Sequence, residues 1–193
     1  MKAVFLDRDG VICYNRDDLV KNWDEFKFID GAREAIARLT QAGLPVVVVT
    51  NQAVINRRLT SASAVDDIHR RMIAEVESCG GQIARVYYCP HRPDEHCSCR
   101  KPQPGMLFQA ANELGIDLQD SYLIGDAISD VQAAQAADVK VYMVLTGRGK
   151  RQHLELLDQG RDIVSLAPNL WQAVDDILRI ESAQRGQGEH TLT

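Results

Sequence analysis

Two acidic motifs along the chain carry carboxylates at spacings that suit a metal ion. Asp7 and Asp9 belong to the motif D-R-D-G, which follows a short hydrophobic run. Side chains two positions apart in an extended chain point to the same side, so both carboxylates can face one cation and shift each other's pKa. The motif G-D-A-I-S-D at positions 125–130 adds Asp126 and Asp130. Oxygen ligands of this kind favour a hard cation such as Mg²⁺.

Groups that could bind an anion lie between the two acidic motifs. Thr50, Asn51 and Gln52 follow a hydrophobic stretch and offer a hydroxyl and exposed backbone N–H groups. Arg100 and Lys101 precede a predicted helix start, where the helix dipole also favours an anion. Carboxylates for a cation, with a hydroxyl and a lysine for a phosphoryl group, predict Mg²⁺-dependent phosphoryl transfer.

Three of the five cysteines lie close to a histidine in the segment 89–99. The spacing C-x-H-x5-C-x-C is typical of a closed structural Zn²⁺ site and predicts four ligands, Cys89, His91, Cys97 and Cys99. His96 is a competing ligand that ranks below His91. Zinc would stabilise a loop that is too short and polar to fold alone, and it would fix the direction of the two basic residues that follow.

The elements that must position these residues alternate between strands and helices. Apolar, β-branched runs predict strands over residues 3–6, 45–49, 84–88, 122–124, 139–145 and 162–164. Helical periodicity predicts helices over residues 31–42, 61–78, 104–114, 129–137, 150–159 and 169–182. This order predicts a three-layer, Rossmann-like α/β fold with a mainly parallel sheet. Ligands of such sheets bind outside the carboxyl ends of the strands, so the motifs should share one site.

The composition indicates one compact domain. The 193 residues are 45% hydrophobic and have a net charge of −5, which disfavours a disordered chain and a general nucleic-acid binder. No run is long enough for a signal peptide or a membrane span, so we expect a cytoplasmic protein whose thiols stay reduced. We predict a phosphatase domain at 1–181, a loose polar tail at 182–193 and a monomer. Cys13 and Cys79 should be small, partly buried side chains.

The ordered motifs resemble the phosphatase branch of the haloacid dehalogenase superfamily. D-x-D-G, T-N after a strand, a lysine and G-D-x-x-x-D occur in that order, and the match covers nearly the whole chain to about residue 145. The resemblance implies that Asp7 is the nucleophile, which forms an aspartyl phosphate, and that Asp9 is the general acid and base. It also implies that Asp7, the backbone carbonyl of Asp9 and Asp126 hold Mg²⁺, with Asp130 as a further candidate. Thr50 and Lys101 would neutralise the transferring phosphoryl group.

The cysteine-rich loop indicates which group within this superfamily the sequence resembles. Y-Y-C-P-H-R-P, followed by C-x-C-R-K-P-x-P-G-M, is similar to the D-glycero-D-manno-heptose 1,7-bisphosphate 7-phosphatases, which serve lipopolysaccharide biosynthesis. Histidinol-phosphate phosphatases share a zinc loop of this spacing and are the alternative. Two departures from the heptose enzymes affect substrate identity rather than catalysis: Ala127 replaces a lysine, and Ala53 and Val54 replace Ser-Gly.

The superfamily's large cap domains are predicted to be absent, because the segment 11–30 is too small for one. Substrate selection then falls to loops 15–23 and 51–58 and to the zinc loop. A second phosphate on a small sugar could be bound by Arg57 and Arg100, since guanidinium groups form bidentate contacts with phosphate. A further alternative is a non-catalytic phosphate-binding or zinc-loop interaction protein. The presence of both a nucleophile and its acid argues against it.

Overall fold

One parallel sheet forms the centre of the molecule. The computed structural model describes residues 1–158 and 165–189, which contain six strands. They are β1 (Val4–Leu6), β2 (Val46–Asn51), β3 (Arg85–Cys89), β4 (Tyr122–Gly125), β5 (Lys140–Val144) and β6 (Leu166–Ala167). Their order is β3-β2-β1-β4-β5-β6, and all pairings between them are parallel. The predicted sheet is confirmed, while the predicted strand at 162–164 lies outside the described residues.

Helices cover both faces of the sheet. They are α1 (Ala32–Gln41), α2 (Ala62–Ser78), α3 (Gly105–Leu114), α4 (Ile128–Ala136), α5 (Gly149–Asp158) and α6 (Leu170–Glu189). Buried residues of α1, α2 and α6 share one hydrophobic cluster, and those of α3, α4 and α5 share the other. The chain therefore forms the three layers that the alternation of elements predicts.

The central strand shows how the sequence divides the core between the two faces. Val4 and Leu6 of β1 belong to the cluster with α1, whereas Phe5 belongs to the cluster with α3. All three side chains are fully buried. Successive side chains of a strand point to opposite faces, so a strand covered on both sides must be apolar throughout. That requirement explains why the sheet could be recognised in the sequence.

Local signals are clear at the start of α2 and at the end of α3. Ser61 precedes α2, and its hydroxyl accepts a hydrogen bond from the backbone N–H of Ala64, as an N-cap residue does. Gly115 ends α3 with a φ of 65°, a conformation that glycine adopts without strain. Helix α6 continues to Glu189 instead of ending at residue 182. Much of the predicted tail is thus helical, since no proline interrupts it, and the two weak helix formers Gly186 and Gly188 do not end the helix before residue 189.

The segment between β1 and α1 contains no cap domain. Its one helical element is the single 3₁₀ turn Trp23–Glu25, beside which the rings of Trp23 and Phe26 stack at a centroid distance of 5.1 Å. Cys13 in this segment is fully buried, so the expectation of partial burial was wrong there, whereas Cys79 is partly buried as predicted. Within the described part of the chain, no helix is both long and apolar enough to cross a membrane.

Glu181 ties α6 to the sheet, so its loss should destabilise the fold. Its carboxylate accepts hydrogen bonds from the Tyr122 hydroxyl at 2.8 Å and from Lys2 Nζ at 2.7 Å, in a buried position. Glu181→Ala leaves the tyrosine hydroxyl unpaired, and we expect it to lower the free energy of unfolding by about 1–3 kcal/mol, measured by urea denaturation. Gln184→Ala, at an exposed position on the same helix, is the matched control. Equal effects of the two substitutions would contradict this account.

Candidate active site

A cleft of about 430 Å³ opens at the carboxyl edge of the sheet, where the loops that follow β1, β2 and β4 meet the segment before α3. The structure brings together here all the residues predicted for phosphoryl transfer. The lining includes Asp7, Asp9, Thr50, Asn51, Gln52, Arg57, Arg100, Lys101, Asp126 and Asp130. Residues up to 123 positions apart in the sequence thus share one site because parallel strands end at the same edge.

Three buried carboxylates form a cluster at the base of the cleft. Asp7, Asp126 and Asp130 each offer an oxygen, and these atoms lie within 4.8 Å of one another. Burial, with the nearby charges of Asp130 and Asp9, raises the pKa of Asp7 to about 6 against the opposing effect of Lys101. Burial and the charges of Asp7 and Asp130 raise the pKa of Asp126 to about 8. Such mutual repulsion is the electrostatic setting in which a bound cation is most favourable.

Two glycines leave room beside the Asp126 carboxylate. Gly10 has a φ of 93° and Gly147 a φ of 57°, and a Cβ on either residue would overlap a carboxylate oxygen of Asp126. The backbone N–H of Arg148 donates to the same carboxylate at 2.7 Å. Glycine is therefore required at both positions by conformation and by space.

Lys101 joins two of the clustered carboxylates. Its buried Nζ lies 3.0 Å from Asp7 Oδ1 and 2.7 Å from Asp130 Oδ1, and it donates to the carbonyl of Val49 at 2.6 Å. Burial would lower the pKa of Lys101, but the charges of Asp130 and Asp7 outweigh it and raise the pKa above its usual value. Lys101 is therefore held as a cation directly against the predicted nucleophile.

Asn51 anchors the backbone of Lys101. The Asn51 amide accepts a hydrogen bond from the Lys101 N–H at 3.1 Å and donates one to the Lys101 carbonyl at 3.0 Å.

Asp130 makes a second contact besides the one with Lys101. Its Oδ2 accepts a hydrogen bond from the backbone N–H of Ala127 at the start of α4. The position of Asp130 therefore suits a group at the predicted metal site and also a carboxylate at a helix N-terminus.

Asp9 is held on the other side of the cleft by a network that the sequence did not predict. Arg8 donates to Asp9 from Nη2 at 3.0 Å and from Nε at 3.2 Å, and Gln52 Nε2 donates to Asp9 Oδ2 at 2.8 Å. The Cys13 thiol adds a contact at 3.5 Å. Burial would raise the pKa of Asp9, but the charge of Arg8 and these hydrogen bonds lower it. Asp9 is therefore stabilised as a carboxylate.

The predicted anion-binding groups after β2 are used within the protein. The Gln52 side chain donates to Thr50 Oγ1 at 2.9 Å and accepts from Arg8, and the Gln52 backbone N–H donates to the Cys89 carbonyl. The expectation of an exposed N–H at Gln52 was therefore wrong, because β3 continues beside β2 and provides an acceptor. Thr50 and Gln52 nevertheless line the cleft.

The sequence also gave no indication of His69. This residue lies on α2, and its Nε2 is 3.2 Å from Arg8 Nη1. The two are 61 positions apart, and neither stands in a motif with a metal-ligand spacing. The only local signal in the sequence is that Arg8 stands between Asp7 and Asp9. Its cationic side chain must either face water or find hydrogen-bond acceptors in the interior, but the sequence does not indicate which residue is the acceptor.

The charges of the site fit a divalent cation. Asp7, Asp9, Asp126 and Asp130 provide four carboxylates, and the buried cations that contact them are Arg8 and Lys101. The set therefore has an excess of two negative charges when all groups are ionised. The three clustered carboxylate oxygens are the ligand type of Mg²⁺.

The second cluster contains the predicted zinc ligands. Cys89 and Cys99 Sγ each lie 3.4 Å from His91 Nδ1 and 3.5 Å from Cys97 Sγ. A tetrahedral Zn²⁺ with Zn–S bonds of about 2.3 Å separates sulfur atoms by about 3.8 Å, so the set is only slightly more compact than a zinc site. His91, rather than the competing His96, belongs to the cluster.

The rim of the cleft is cationic. Arg57, Arg100 and Arg148 line it, and Arg57 and Arg148 are exposed. Arg100 Nη1 donates to the carbonyl of His91 at 3.0 Å, which connects the rim to the cysteine-rich loop. Guanidinium groups at the mouth of a carboxylate site favour an anionic ligand with a second charged group.

Comparisons with known proteins identify the family of the chain. A family model described as HAD-hydrolase-like matches residues 98–173. The D-glycero-beta-D-manno-heptose-1,7-bisphosphate 7-phosphatase of Pseudomonas aeruginosa is 42% identical over 173 residues, covering 88% of this chain and 97% of that protein. The enzyme of the same name from Photorhabdus laumondii is 38% identical over 182 residues, covering 91% of this chain and 96% of that protein.

A solved structure shows the same fold. The crystal structure of D,D-heptose 1,7-bisphosphate phosphatase from B. bronchiseptica, complexed with magnesium and phosphate, superposes with a TM-score of 0.86 and 36% identity. The alignment covers 93% of this chain and 99% of that one. The chain therefore belongs to the haloacid dehalogenase-like hydrolases, within the family of the D-glycero-beta-D-manno-heptose-1,7-bisphosphate 7-phosphatases.

Proposed function

We propose that this protein is a Mg²⁺-dependent phosphatase that removes the 7-phosphate of D-glycero-D-manno-heptose 1,7-bisphosphate. The observation that carries the proposal is the position of Asp7, whose carboxylate contacts Lys101 and lies with Asp126 and Asp130 at the base of the cleft. The relatives named for this activity match the chain over nearly its whole length, which supports the choice of substrate.

The reaction takes place in two displacements. Asp7 attacks phosphorus, the bond to the sugar oxygen breaks, and Asp9 gives a proton to that oxygen. Water then attacks the aspartyl phosphate, Asp9 takes its proton, and the Asp7 carboxylate is regenerated with release of inorganic phosphate. A carboxylate nucleophile in this way divides one difficult substitution into two easier steps. Lys101 and Thr50 neutralise charge on the transferring group.

Mg²⁺ would be held by Asp7, Asp126 and the backbone carbonyl of Asp9, with Asp130 beside them. When bound, it supplies the positive charge that lets an anionic nucleophile approach an anionic phosphate. Asp130 also fixes Lys101, whose Nζ lies 2.7 Å from its Oδ1. Loss of Asp130 should therefore affect both the metal and the lysine.

The second phosphate of the substrate is assigned to the cationic rim. Arg100 and Arg57 lie on the same side of the cleft as the cysteine-rich loop, and Asn51 and Gln52 help to shape the floor. We propose that Zn²⁺ bound to Cys89, His91, Cys97 and Cys99 holds this loop, so that Arg100 points into the cleft. Ala127, at the start of α4, has no charge with which to bind an anion. Recognition of the second phosphate therefore falls to Arg57 and Arg100.

We also propose a cellular location and a set of partners for the enzyme. Reduced thiols are required for the zinc site, which favours the cytoplasm. The acidic charge of the chain disfavours nucleic acid as a partner, and the substrate is a small phosphorylated sugar. We propose a monomer without a membrane partner.

The function is tested by phosphate release in the presence of Mg²⁺. We expect turnover of heptose 1,7-bisphosphate, tested as both anomers, to exceed that of histidinol phosphate. Asp7→Asn should abolish turnover, because the amide is not a nucleophile, while thermal unfolding stays cooperative. Preference for histidinol phosphate would overturn the substrate, and activity of Asp7→Asn would overturn the nucleophile. A protein that turns over no member of the panel would support the non-catalytic alternative.

The raised pKa values make the stability of the Mg²⁺-free protein depend on pH. Asp7 and Asp126 have folded pKa values of about 6 and 8, above the value of about 4 in an unfolded chain. These two carboxyl groups therefore bind protons more tightly in the folded state, and the stability that they contribute falls as the pH rises from about 5 to about 8. We expect the Tm of the unchanged protein, relative to that of Asp126→Asn, to fall over this range in Mg²⁺-free buffer without a chelator that would remove zinc. Millimolar Mg²⁺ should raise the Tm more at the higher pH.

The control for this prediction is Asp126→Asn, which removes the carboxyl group with the larger shift. The variant should lack most of this pH-dependent loss, and it should respond less to Mg²⁺ than the unchanged protein. Because His69 and the proposed zinc ligands are unchanged in it, their own pH dependence cancels in the comparison. A difference in Tm between the two proteins that does not change in this direction with pH would contradict the assigned pKa directions.

Loss of a zinc ligand should weaken substrate binding more than chemistry. Cys97→Ser should remove the one equivalent of zinc that we expect by elemental analysis. The loop then loosens and Arg100 is no longer fixed, so KM should rise at least about 10-fold. The value of kcat should change less, because Asn51 holds Lys101 through two hydrogen bonds that do not involve the loop. Cys79→Ser is the matched control, and retention of zinc by Cys97→Ser would refute the ligand assignment.

A further inference from the structure

Arg8 is the largest side chain in the described residues that is fully buried, although it is a cation. Its Nε and Nη2 both donate to Asp9, and Nη2 also donates to Gln52 Oε1 at 3.0 Å. A planar guanidinium that binds both oxygens of a carboxylate fixes the orientation of that carboxylate as well as its position. The direction of the Asp9 carboxylate therefore depends on the rotation of the Arg8 guanidinium.

His69 supplies the contact at the far end of this guanidinium. Its Nε2 lies 3.2 Å from Arg8 Nη1 in a buried setting. Arginine has only N–H donors, so Nε2 must accept, and the imidazole proton is assigned to Nδ1. Burial and the charge of Arg8 lower the pKa of His69 to about 3, which agrees with a neutral ring. The imidazole also lies against Tyr88 of β3, with a centroid distance of 5.5 Å.

We propose that His69 is a positioning residue for the second half of the reaction. By accepting from Arg8 Nη1, it fixes the guanidinium that orients Asp9 as the base for hydrolysis of the aspartyl phosphate. In that step the water oxygen bonds to phosphorus, its proton passes to the Asp9 carboxylate, and the bond from phosphorus to the Asp7 oxygen breaks. The inference rests on the proposed function, because it assumes that step.

The effect of removing the imidazole follows from the burial of its partner. Without Nε2, a buried N–H of Arg8 loses its acceptor, which is costly in the interior. The guanidinium can then rotate towards another acceptor, and the Asp9 carboxylate turns with it because two donors bind it. A small displacement of a general base from the attacking water reduces the rate strongly.

An aryl phosphate with a good leaving group separates the two halves of the reaction. Formation of the aspartyl phosphate from p-nitrophenyl phosphate needs little help from an acid, so kcat/KM reports Asp7 and Lys101. We expect His69→Leu to lower kcat about 10- to 100-fold, with kcat/KM unchanged, so that KM falls in parallel. A burst of p-nitrophenolate equal to the enzyme concentration, and aspartyl phosphate trapped by acid quench, should appear in the variant.

Rescue and a matched control distinguish positioning from packing. His69→Gln keeps an acceptor, so it should recover most of the lost kcat. Met72→Leu, at a fully buried position on the same helix, changes the packing without removing a hydrogen-bonding group and should behave like the unchanged protein. Equal losses of kcat and kcat/KM in His69→Leu, a normal kcat, absence of the burst, or failure of Gln to restore kcat would each overturn the proposal.

A measurement without substrate keeps the inference independent of folding defects and of the proposed function. Nitrogen NMR of the imidazole should show a neutral ring with the proton on Nδ1 and Nε2 as an acceptor near neutral pH. A proton on Nε2 would overturn the proposal even if every variant failed to fold. An unchanged protein that hydrolyses neither the sugar bisphosphate nor the aryl phosphate would instead overturn the proposed function, and the NMR result would still decide the hydrogen bond.

Discussion

Four carboxylates lie close to only two buried cations at one edge of the sheet. The repulsion between these carboxylates is the constraint on which the arrangement of the site depends. Two like charges about 4 Å apart repel by about 4 kcal/mol at the effective dielectric of a protein near its surface. Lys101 reduces this repulsion for Asp7 and Asp130, and Arg8 does so for Asp9. Asp126 accepts from the backbone N–H of Arg148, and no cationic side chain of the described residues lies within ion-pair distance of it; its pKa is raised to about 8. The remaining negative charge lies where the metal is required.

The compensation of negative charge by Lys101 depends on the segment 89–101, which joins the cysteine-rich cluster to the cluster of carboxylates. The chain passes from Cys89 at the end of β3, through the other proposed zinc ligands, to Lys101 beside Asp7, the proposed nucleophile. Asn51 then pairs with the Lys101 backbone from the neighbouring strand β2. The cysteine-rich loop thus contacts the rim through Arg100, while the sheet holds the backbone of the lysine. In the proposed function, substrate recognition and chemistry can therefore be perturbed separately, although their residues are adjacent in the sequence.

The sequence could indicate those features that are local or repeated. The apolar runs predicted the sheet because strands covered on both faces must be apolar, and Asp7, Asp9 and Asp126 could be placed because strand ends share one edge. The cluster of Cys89, His91, Cys97 and Cys99 could be predicted because its members are close together in the sequence. Arg8 and His69 could not be paired in this way, since the contact joins a loop to the middle of α2 across 61 positions. The backbone of Gln52 was misjudged for a related reason, because its acceptor on Cys89 belongs to another strand.

The position of Asp9 implies an unequal division of labour between the two halves of the proposed reaction. A carboxylate that accepts from both Arg8 and Gln52 is kept ionised and in one orientation, as a base that must face the attacking water has to be. The same hydrogen bonds lower its affinity for a proton, and the acid step needs a protonated Asp9. Departure of the sugar oxygen must therefore rely more heavily on the charges that surround the phosphoryl group, namely Lys101 and the proposed metal. Lys101 and the proposed metal would thus act on the phosphoryl group beside Asp7, whereas Arg8 and Gln52 hold Asp9 in place. On this account the first step depends mainly on charge and the second on the placement of a base.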